Sequence, residues 1–131
     1  MKINRSTLAW AAGLAAIAVI LGALGAHALK ASLSPDGLES FKTGVRYQMW
    51  HALALAIIAV IPPREFGVKW IKGLWISGVI LFSGSIYLLS IAPIFDFNFS
   101  FLGPITPLGG LALISGWILL FIKSLSTPKH P

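Results

Sequence analysis

The chain has 131 residues, of which 56% are hydrophobic and only 11% are charged, whereas soluble domains carry about 25% charged residues. A water-soluble domain this apolar could not cover its own surface with polar groups, so the composition indicates a membrane protein. The net charge of +6 comes from basic residues scattered between apolar runs, which argues against a nucleic-acid partner and for contact with lipid headgroups. The absence of cysteine excludes disulfides and thiolate metal sites.

Four long apolar runs predict four membrane-spanning helices in a single domain. A span needs about 20 mainly apolar residues, and lipid offers no hydrogen bonds to a bare backbone, so each run must be a helix or part of a closed barrel. The alternating pattern of barrel strands is missing. We predict spans at 6–29, 45–61, 70–91 and 105–122, the last starting late because Pro104 and Pro107 mark a helix start.

The first connection, residues 30–44, carries a further helix signal. Ser34 followed by Pro35 is a typical helix start, with serine as the cap and proline at the first helical position. Leu38, Phe41 and Val45 then recur at helical spacing, and the chain could change direction at Gly44. The predicted fold is therefore an all-α integral membrane protein, a four-transmembrane-helix bundle with a short interfacial helix between helices 1 and 2.

The other two connections differ in character. Pro62 to Glu65 predicts a tight basic turn, whereas residues 95–101 read FDFNFSF. Strict alternation of phenylalanine with polar residues predicts an extended segment with one aromatic face. Such a face favours a loop pressed into the headgroup region, with a binding surface as the alternative.

The basic residues predict that both termini are cytoplasmic, in an inner (plasma) membrane. Short cytoplasmic loops carry an excess of lysine and arginine, and this topology places seven basic residues inside and three outside. The inner set is Lys2, Arg5, Arg64, Lys69, Lys72, Lys123 and Lys129, and the outer set is Lys30, Lys42 and Arg46. On the same topology Trp10, Trp70, Trp75 and Trp117 are expected to anchor the inner boundary.

The polar side chains of the spans are predicted to collect in the outer leaflet. This candidate polar cluster consists of His27, Arg46, Tyr47, Gln48, His51, Ser83, Ser85, Tyr87 and Thr106. Polar groups at membrane depth usually face the bundle and find partners, so hydrogen bonding between helices is the main interpretation. A bound ligand, an ion path or an active site is the alternative.

Small residues predict where helices pack closely, because they let two backbones approach. The candidates are Gly22, Gly25, Ala26, Gly84, Gly109 and Gly110. Internal contacts are the main interpretation, and a dimer face is the alternative.

The sequence contains few signals of a catalytic, haem or metal site. The most specific hypothesis makes His27 and His51, expected at similar depth, the two axial ligands of a haem between helices 1 and 2. A metal site would need a third ligand. Asp96 and Glu39 are candidates, but their spacing in the sequence does not indicate a metal site. Phosphate loops, nucleophile elbows and paired intramembrane carboxylates are missing. We therefore assign no catalytic residue, metal or cofactor, and enzymatic activity stays open.

Four segments resemble one protein family across almost the whole chain. They are LGALGAHAL (21–29), FKTGVRYQMWHALAL (41–55), LFSGSIYLL (81–89) and GPITPLGGLALISGW (103–117). These segments resemble the domain of unknown function 423 family, small bacterial inner-membrane proteins with eukaryotic relatives called transmembrane protein 256-like. The resemblance implies a multi-helix membrane protein without an established activity, and it implies no roles for the matching residues.

Three functions are compatible with these observations. The first is an accessory or interaction protein, whose partners are membrane lipid and either other membrane proteins or a second copy. The second is a conduit or carrier for a proton, ion or small solute. The third is a haem-binding or lipid-modifying membrane enzyme using His27, Arg46 and His51.

Overall fold

The computed structural model describes residues 2–62 and 67–126, and within them the fold is all-α, as predicted. Four long helices follow one another along the chain: α1 (Arg5–Ala26), α2 (Pro35–Ile58), α3 (Val68–Ile91) and α4 (Ile105–Leu125). Two short 3₁₀ helices, Ala92–Phe95 and Ser100–Leu102, lie in the connection between α3 and α4. The basic turn expected at Pro62 to Glu65 falls largely outside the described residues, as do Arg64 and Lys129.

Three of the helical segments are long and apolar enough to cross a membrane: Arg5–Ala26, Val68–Phe95 and Ser100–Leu125. A 22-residue helix such as α1 is about 33 Å long, and the hydrocarbon core is about 30 Å thick. Large apolar side chains point outward from these helices, including Val19, Trp70 and Leu125, which are 62%, 69% and 71% exposed. An outward apolar band of this kind is the surface that lipid covers.

The starts of α1 and α2 follow from capping residues that the sequence supplies. The Asn4 side chain accepts a hydrogen bond from the backbone N–H of Thr7 at 3.1 Å, and the Ser34 hydroxyl accepts one from the N–H of Gly37 at the same distance. Each cap satisfies a backbone donor that the first turn of a helix leaves free. Pro35 occupies the first helical position of α2, where its missing N–H costs nothing.

The helices pack in chain order, with α1 against α2, α2 against α3 and α3 against α4. At one end of the bundle the Asn4 N–H donates to the carbonyl of Ala59 at 2.8 Å, and Lys72 Nζ donates to Ser6 Oγ at 2.9 Å. We call this the termini end, since α1 begins and α4 ends there. The opposite end, which holds the connections α1–α2 and α3–α4, is the loop end.

The interfacial helix expected between helices 1 and 2 is not present as a separate element. α2 begins at Pro35, as the capping signal predicted, but continues without a break to Ile58. Gly44 is not a change of direction. A Cβ atom at Gly44 would lie 2.7 Å from Cε1 of Tyr87, so the glycine is there to admit the tyrosine ring of α3.

The extended conformation expected for residues 95–101 is wrong. The chain closes a 3₁₀ turn at Phe95, reverses at Asp96 with a left-handed φ of 52°, and enters a second 3₁₀ turn at Ser100. Three of the phenylalanine rings still meet, with centroids 4.7 Å apart for Phe97 and Phe99 and 6.1 Å for Phe99 and Phe101. The aromatic cluster comes from turns and not from strand alternation.

The apolar core lies toward the termini end, where α2 ends and α3 begins. Its largest fully buried side chains are Leu55, Ile58, Val68, Ile71 and Trp75. Trp75 was expected to anchor the membrane boundary, and that expectation is wrong, because its side chain is 0% exposed. Its ring contacts Trp117 on α4, with the two ring centroids 4.5 Å apart.

Candidate functional site

The polar cluster is centred on Gln48, which bridges three helices. Its Nε2 atom donates to the backbone carbonyl of Leu14 on α1 at 2.8 Å. Its Oε1 atom accepts a hydrogen bond from the hydroxyl of Tyr87 on α3 at 2.7 Å. Gln48 is only 3% exposed, so both ends of this buried amide have a partner, as buried polar groups require.

Serines on α3 make two further links. The Ser83 hydroxyl, which is fully buried, donates to the carbonyl of Gly44 on α2 at 2.7 Å. The hydroxyl oxygens of Ser85 and Thr106 lie 2.6 Å apart and join α3 to the start of α4. α3 is therefore hydrogen-bonded through side chains to both helices that pack against it.

His51 occupies both of its ring nitrogens within the bundle. Its Nδ1 atom lies 2.7 Å from the carbonyl of Tyr47 one turn earlier, and its Nε2 atom accepts from the indole N–H of Trp117 at 2.9 Å. An indole can only donate, so Nε2 is the acceptor and the proton sits on Nδ1, facing the carbonyl. Trp75 and Trp117 approach the imidazole edge-on, each with centroids 5.9 Å away.

Three predicted members of the cluster take no part in the side-chain hydrogen bonds between the long helices. His27 is exposed at the end of α1, where its backbone N–H caps the helix at the carbonyl of Ala23. Arg46 is exposed and pairs with Glu39, with Arg46 Nη1 and Glu39 Oε1 3.2 Å apart. The ring of Tyr47 packs against Phe82 with centroids 4.8 Å apart, so this residue contributes aromatic contact to the cluster.

His27 and His51 are not at similar depth, so they do not form a pair of haem ligands. Gln48 reaches Leu14 on α1, and His51 lies one turn beyond Gln48. Since His27 follows Leu14 by more than three turns toward the other end, the two histidines are separated by about 24 Å along the bundle. The nitrogens of His51 are also taken by Tyr47 and Trp117.

The cluster also reaches further into the bundle than the sequence indicated. Because α2 begins at Pro35, His51 lies about 24 Å along a helix of about 36 Å. That position is nearer the termini end than the loop end, so the polar groups are not confined to one half. Within the described residues no group of three His, Asp or Glu side chains could hold a metal ion.

The candidate packing glycines fall into two groups. A Cβ atom at Gly109 would collide with the backbone of Phe82 on α3, and one at Gly25 would lie 3.1 Å from the ring of Phe41 on α2. Gly22 and Gly110 make ordinary contacts of 3.5 and 3.6 Å by the same measure, whereas Gly84 has open space. Ala26 is exposed.

Sequence reasoning missed one contributor to the site. Trp117 was assigned to the membrane boundary, but its indole is the hydrogen-bond partner of His51. Gly116 beside it admits Trp75, whose ring nitrogen would collide with a Cβ atom at that position. Counting α2 from its capping serine would have placed His51 at the depth of these tryptophans.

A family model described as "Protein of unknown function (DUF423)" matches residues 21–110. The chain belongs to the DUF423 family. The matched range holds α2, α3 and the start of α4, and therefore every cluster side chain named above except Trp117. The family suggested by the sequence motifs is thus confirmed.

DUF423 relatives are named as membrane proteins in bacteria and in a fungus. The chain is 41% identical to the UPF0382 membrane protein YwdK of Bacillus subtilis, with 84% of this chain and 88% of the relative covered. It is 32% identical to the UPF0382 inner membrane protein YgdD of Escherichia coli, covering 93% and 91%. It is 37% identical to the UPF0382 membrane protein C1782.12c of Schizosaccharomyces pombe, covering 81% and 90%. No solved structure matches the chain.

Proposed function

We propose that this DUF423 protein is a non-catalytic accessory protein of the inner membrane that packs laterally against another membrane protein. The observation that carries the proposal is the pairing inside the bundle. Gln48, Ser83 and His51 are hydrogen-bonded to neighbouring helices, and the second ring nitrogen of His51 faces a carbonyl of its own helix. A carrier or an enzyme needs free polar groups facing its substrate, and the paired cluster supports a structural use instead.

The proposal includes four crossings with both termini in the cytoplasm. α2 has 24 residues, so it is about 36 Å long, and it lies between α1 and α3, which are both apolar enough to span. Its polar side chains Gln48 and His51 are buried against the other helices, where membrane helices keep such groups. The excess of lysine and arginine at the termini end supports the orientation. Relatives named as membrane proteins, one of them an inner membrane protein, support the location.

A groove on α1 supports lateral packing. It has a volume of about 330 Å³ and an almost entirely apolar wall that includes Trp10, Gly13 and Ile17. A Cβ atom at Gly13 would meet nothing within 4 Å, so this glycine serves no contact inside the chain. Small residues at a lipid-facing surface allow another helix to approach closely.

The test fills the groove and measures the size of the native assembly. Membranes from cells expressing the chain at natural level are extracted directly into polymer-bounded lipid discs and analysed by native mass spectrometry. We expect the wild-type chain in a complex heavier than the monomer, and Gly13→Leu to release it. Gly73→Leu is the matched control, since Gly73 also has open space but lies outside the groove.

Two results would overturn the accessory role. One is a wild-type chain that leaves the membrane only as a monomer with lipid. The other is a complex that Gly13→Leu and Gly73→Leu weaken equally, because the groove would then have no part in it. The mass of the released partner distinguishes a second copy of this chain from a different protein.

A further inference from the structure

Two adjoining cavities at the loop end are rich in oxygen atoms and free of basic groups. The first has a volume of about 350 Å³ and lies between the start of α2, the end of α3 and the start of α4. Its oxygen-bearing side chains are Ser34, Asp36, Ser40, Ser90 and Thr106. The walls contain no lysine, arginine or histidine, so the cavity offers acceptors and a negative charge.

The second cavity continues the first along the connection between α3 and α4. Its volume is about 370 Å³, and it shares Leu89 and Pro93 with its neighbour. Asp96 supplies a carboxylate here, beside the rings of Phe97 and Phe99. This wall also lacks basic residues. Aromatic faces next to a carboxylate attract organic cations through the ring quadrupole and the charge together.

Several polar groups of the two cavities lack partners. The Ser90 hydroxyl is buried, with its side chain 7% exposed, and has no hydrogen-bond partner in the described part of the chain. Among residues 2–62 and 67–126, the one ion pair joins Arg46 to Glu39. The carboxylates of Asp36 and Asp96 therefore have no cationic partner in that part of the chain. A buried group without a partner costs free energy, and two unpaired carboxylates add a local negative potential.

We propose that the adjoining cavities form a binding site for a primary ammonium group, such as that of a phosphatidylethanolamine headgroup or of a free amine. A primary ammonium carries three N–H donors and one positive charge, and the first cavity supplies carboxylate and hydroxyl acceptors for them. The site lies where α3 ends and α4 begins, at the depth where headgroups meet the hydrocarbon. An anionic headgroup would find no cation in either wall.

The experiment measures retention of defined lipids by the full-length chain. Protein purified in detergent is mixed with phosphatidylethanolamine, phosphatidylcholine or phosphatidylglycerol of identical acyl chains, and bound lipid is counted by native mass spectrometry. We expect phosphatidylethanolamine to be retained most strongly. The double variant Asp36→Asn with Asp96→Asn should lower that retention by about tenfold or more, since each substitution removes a charge-assisted hydrogen bond.

Glu39→Gln is the matched control. Glu39 lies one turn after Asp36 on α2, and its substitution removes the same charge while leaving both cavity walls intact. The control should retain phosphatidylethanolamine as the wild type does. Circular dichroism and thermal melting confirm that every variant is folded, because Asp36 also stabilises the first turn of α2.

The arms of the experiment separate the sources of the ammonium group. If ethanolamine alone binds as tightly as the lipid and is lost in the double variant, a soluble amine is the ligand. If only the lipid binds, and the double variant loses it, the headgroup is the ligand. Equal retention of phosphatidylcholine, a preference for phosphatidylglycerol, or a double variant that behaves like Glu39→Gln would overturn the proposal.

Discussion

The indole N–H of Trp117 donates a hydrogen bond to Nε2 of His51 over 2.9 Å. This bond joins α4 to α2, although the broad packing interfaces of the bundle are α1–α2, α2–α3 and α3–α4. Trp75 of α3 fills the space beside both rings. The four-helix arrangement is thus closed on this side by one polar contact among three aromatic rings.

Trp117→Phe should destabilise the bundle by about 0.6–1.7 kcal/mol, from the average to the largest value measured for hydrogen bonds between membrane helices. The substitution removes the donor and keeps most of the ring. The measurement is the free energy of unfolding in mixed micelles by titration with a denaturing detergent. Trp10→Phe is the control, because Trp10 and Trp117 are 45% and 46% exposed and only Trp117 donates to a side chain in the described structure. Equal losses would mean that the His51 contact contributes nothing.

The pair of Tyr87 and Gln48 should be energetically coupled. Removing the tyrosine hydroxyl by Tyr87→Phe and the amide by Gln48→Leu each breaks the 2.7 Å bond, so the double variant should lose less stability than the sum of the two. We expect a coupling of about 0.6 kcal/mol or more, from unfolding titrations of all four proteins. Strict additivity would show that the bond does not stabilise the bundle.

Among glycine-to-alanine substitutions at the candidate packing positions, Gly109→Ala should lower the stability of the bundle most. The added Cβ atom collides with the backbone of Phe82, and overpacking at a helix contact costs about 1–3 kcal/mol. Gly84→Ala on the opposing helix is the control, since a Cβ atom there has open space. It should be neutral or stabilise by up to about 1 kcal/mol through helix propensity. Thermal melting of both variants in the same detergent distinguishes them, and a reversed order would contradict the close contact.

Single cysteines should report the topology directly, because the natural chain contains none. Ser32→Cys, in the α1–α2 connection, should react with a membrane-impermeant maleimide in intact cells. Val60→Cys, just after α2, and Ser126→Cys, just after α4, should react only after permeabilisation. If positions 32 and 60 react alike, α2 does not cross the membrane. If position 126 reacts in intact cells, the cytoplasmic assignment of the carboxyl terminus is wrong.

Much of the helical framework could be predicted, because its causes are local. Apolar runs of membrane length, the Ser34 cap and Pro104 act within a few residues, and the observed helices begin where these signals lie. The exception is α2, where charged and polar residues before Arg46 suggested a separate element. The structure shows that this part packs along α3, through the contact of Gly44 with Tyr87.

The site was predicted less completely, for a physical reason. Gln48, Ser83, Ser85, Tyr87 and Thr106 were recognised because polar residues are conspicuous in apolar runs, and their hydrogen bonds connect neighbouring helices. Trp117 was assigned elsewhere, because an indole suits a membrane boundary as well as a polar contact. His27 was grouped with His51 because the depth of His51 was judged without knowing the true start of α2.

The sequence by itself determined that this chain is a membrane protein, that it is helical and which family it belongs to. Hydropathy, capping and motifs are properties of the chain alone. Only the tertiary structure decided which polar atoms meet, where His51 lies and which glycines are close contacts. Those facts depend on the relative depth and rotation of packed helices, which arise from contacts between residues far apart in the chain.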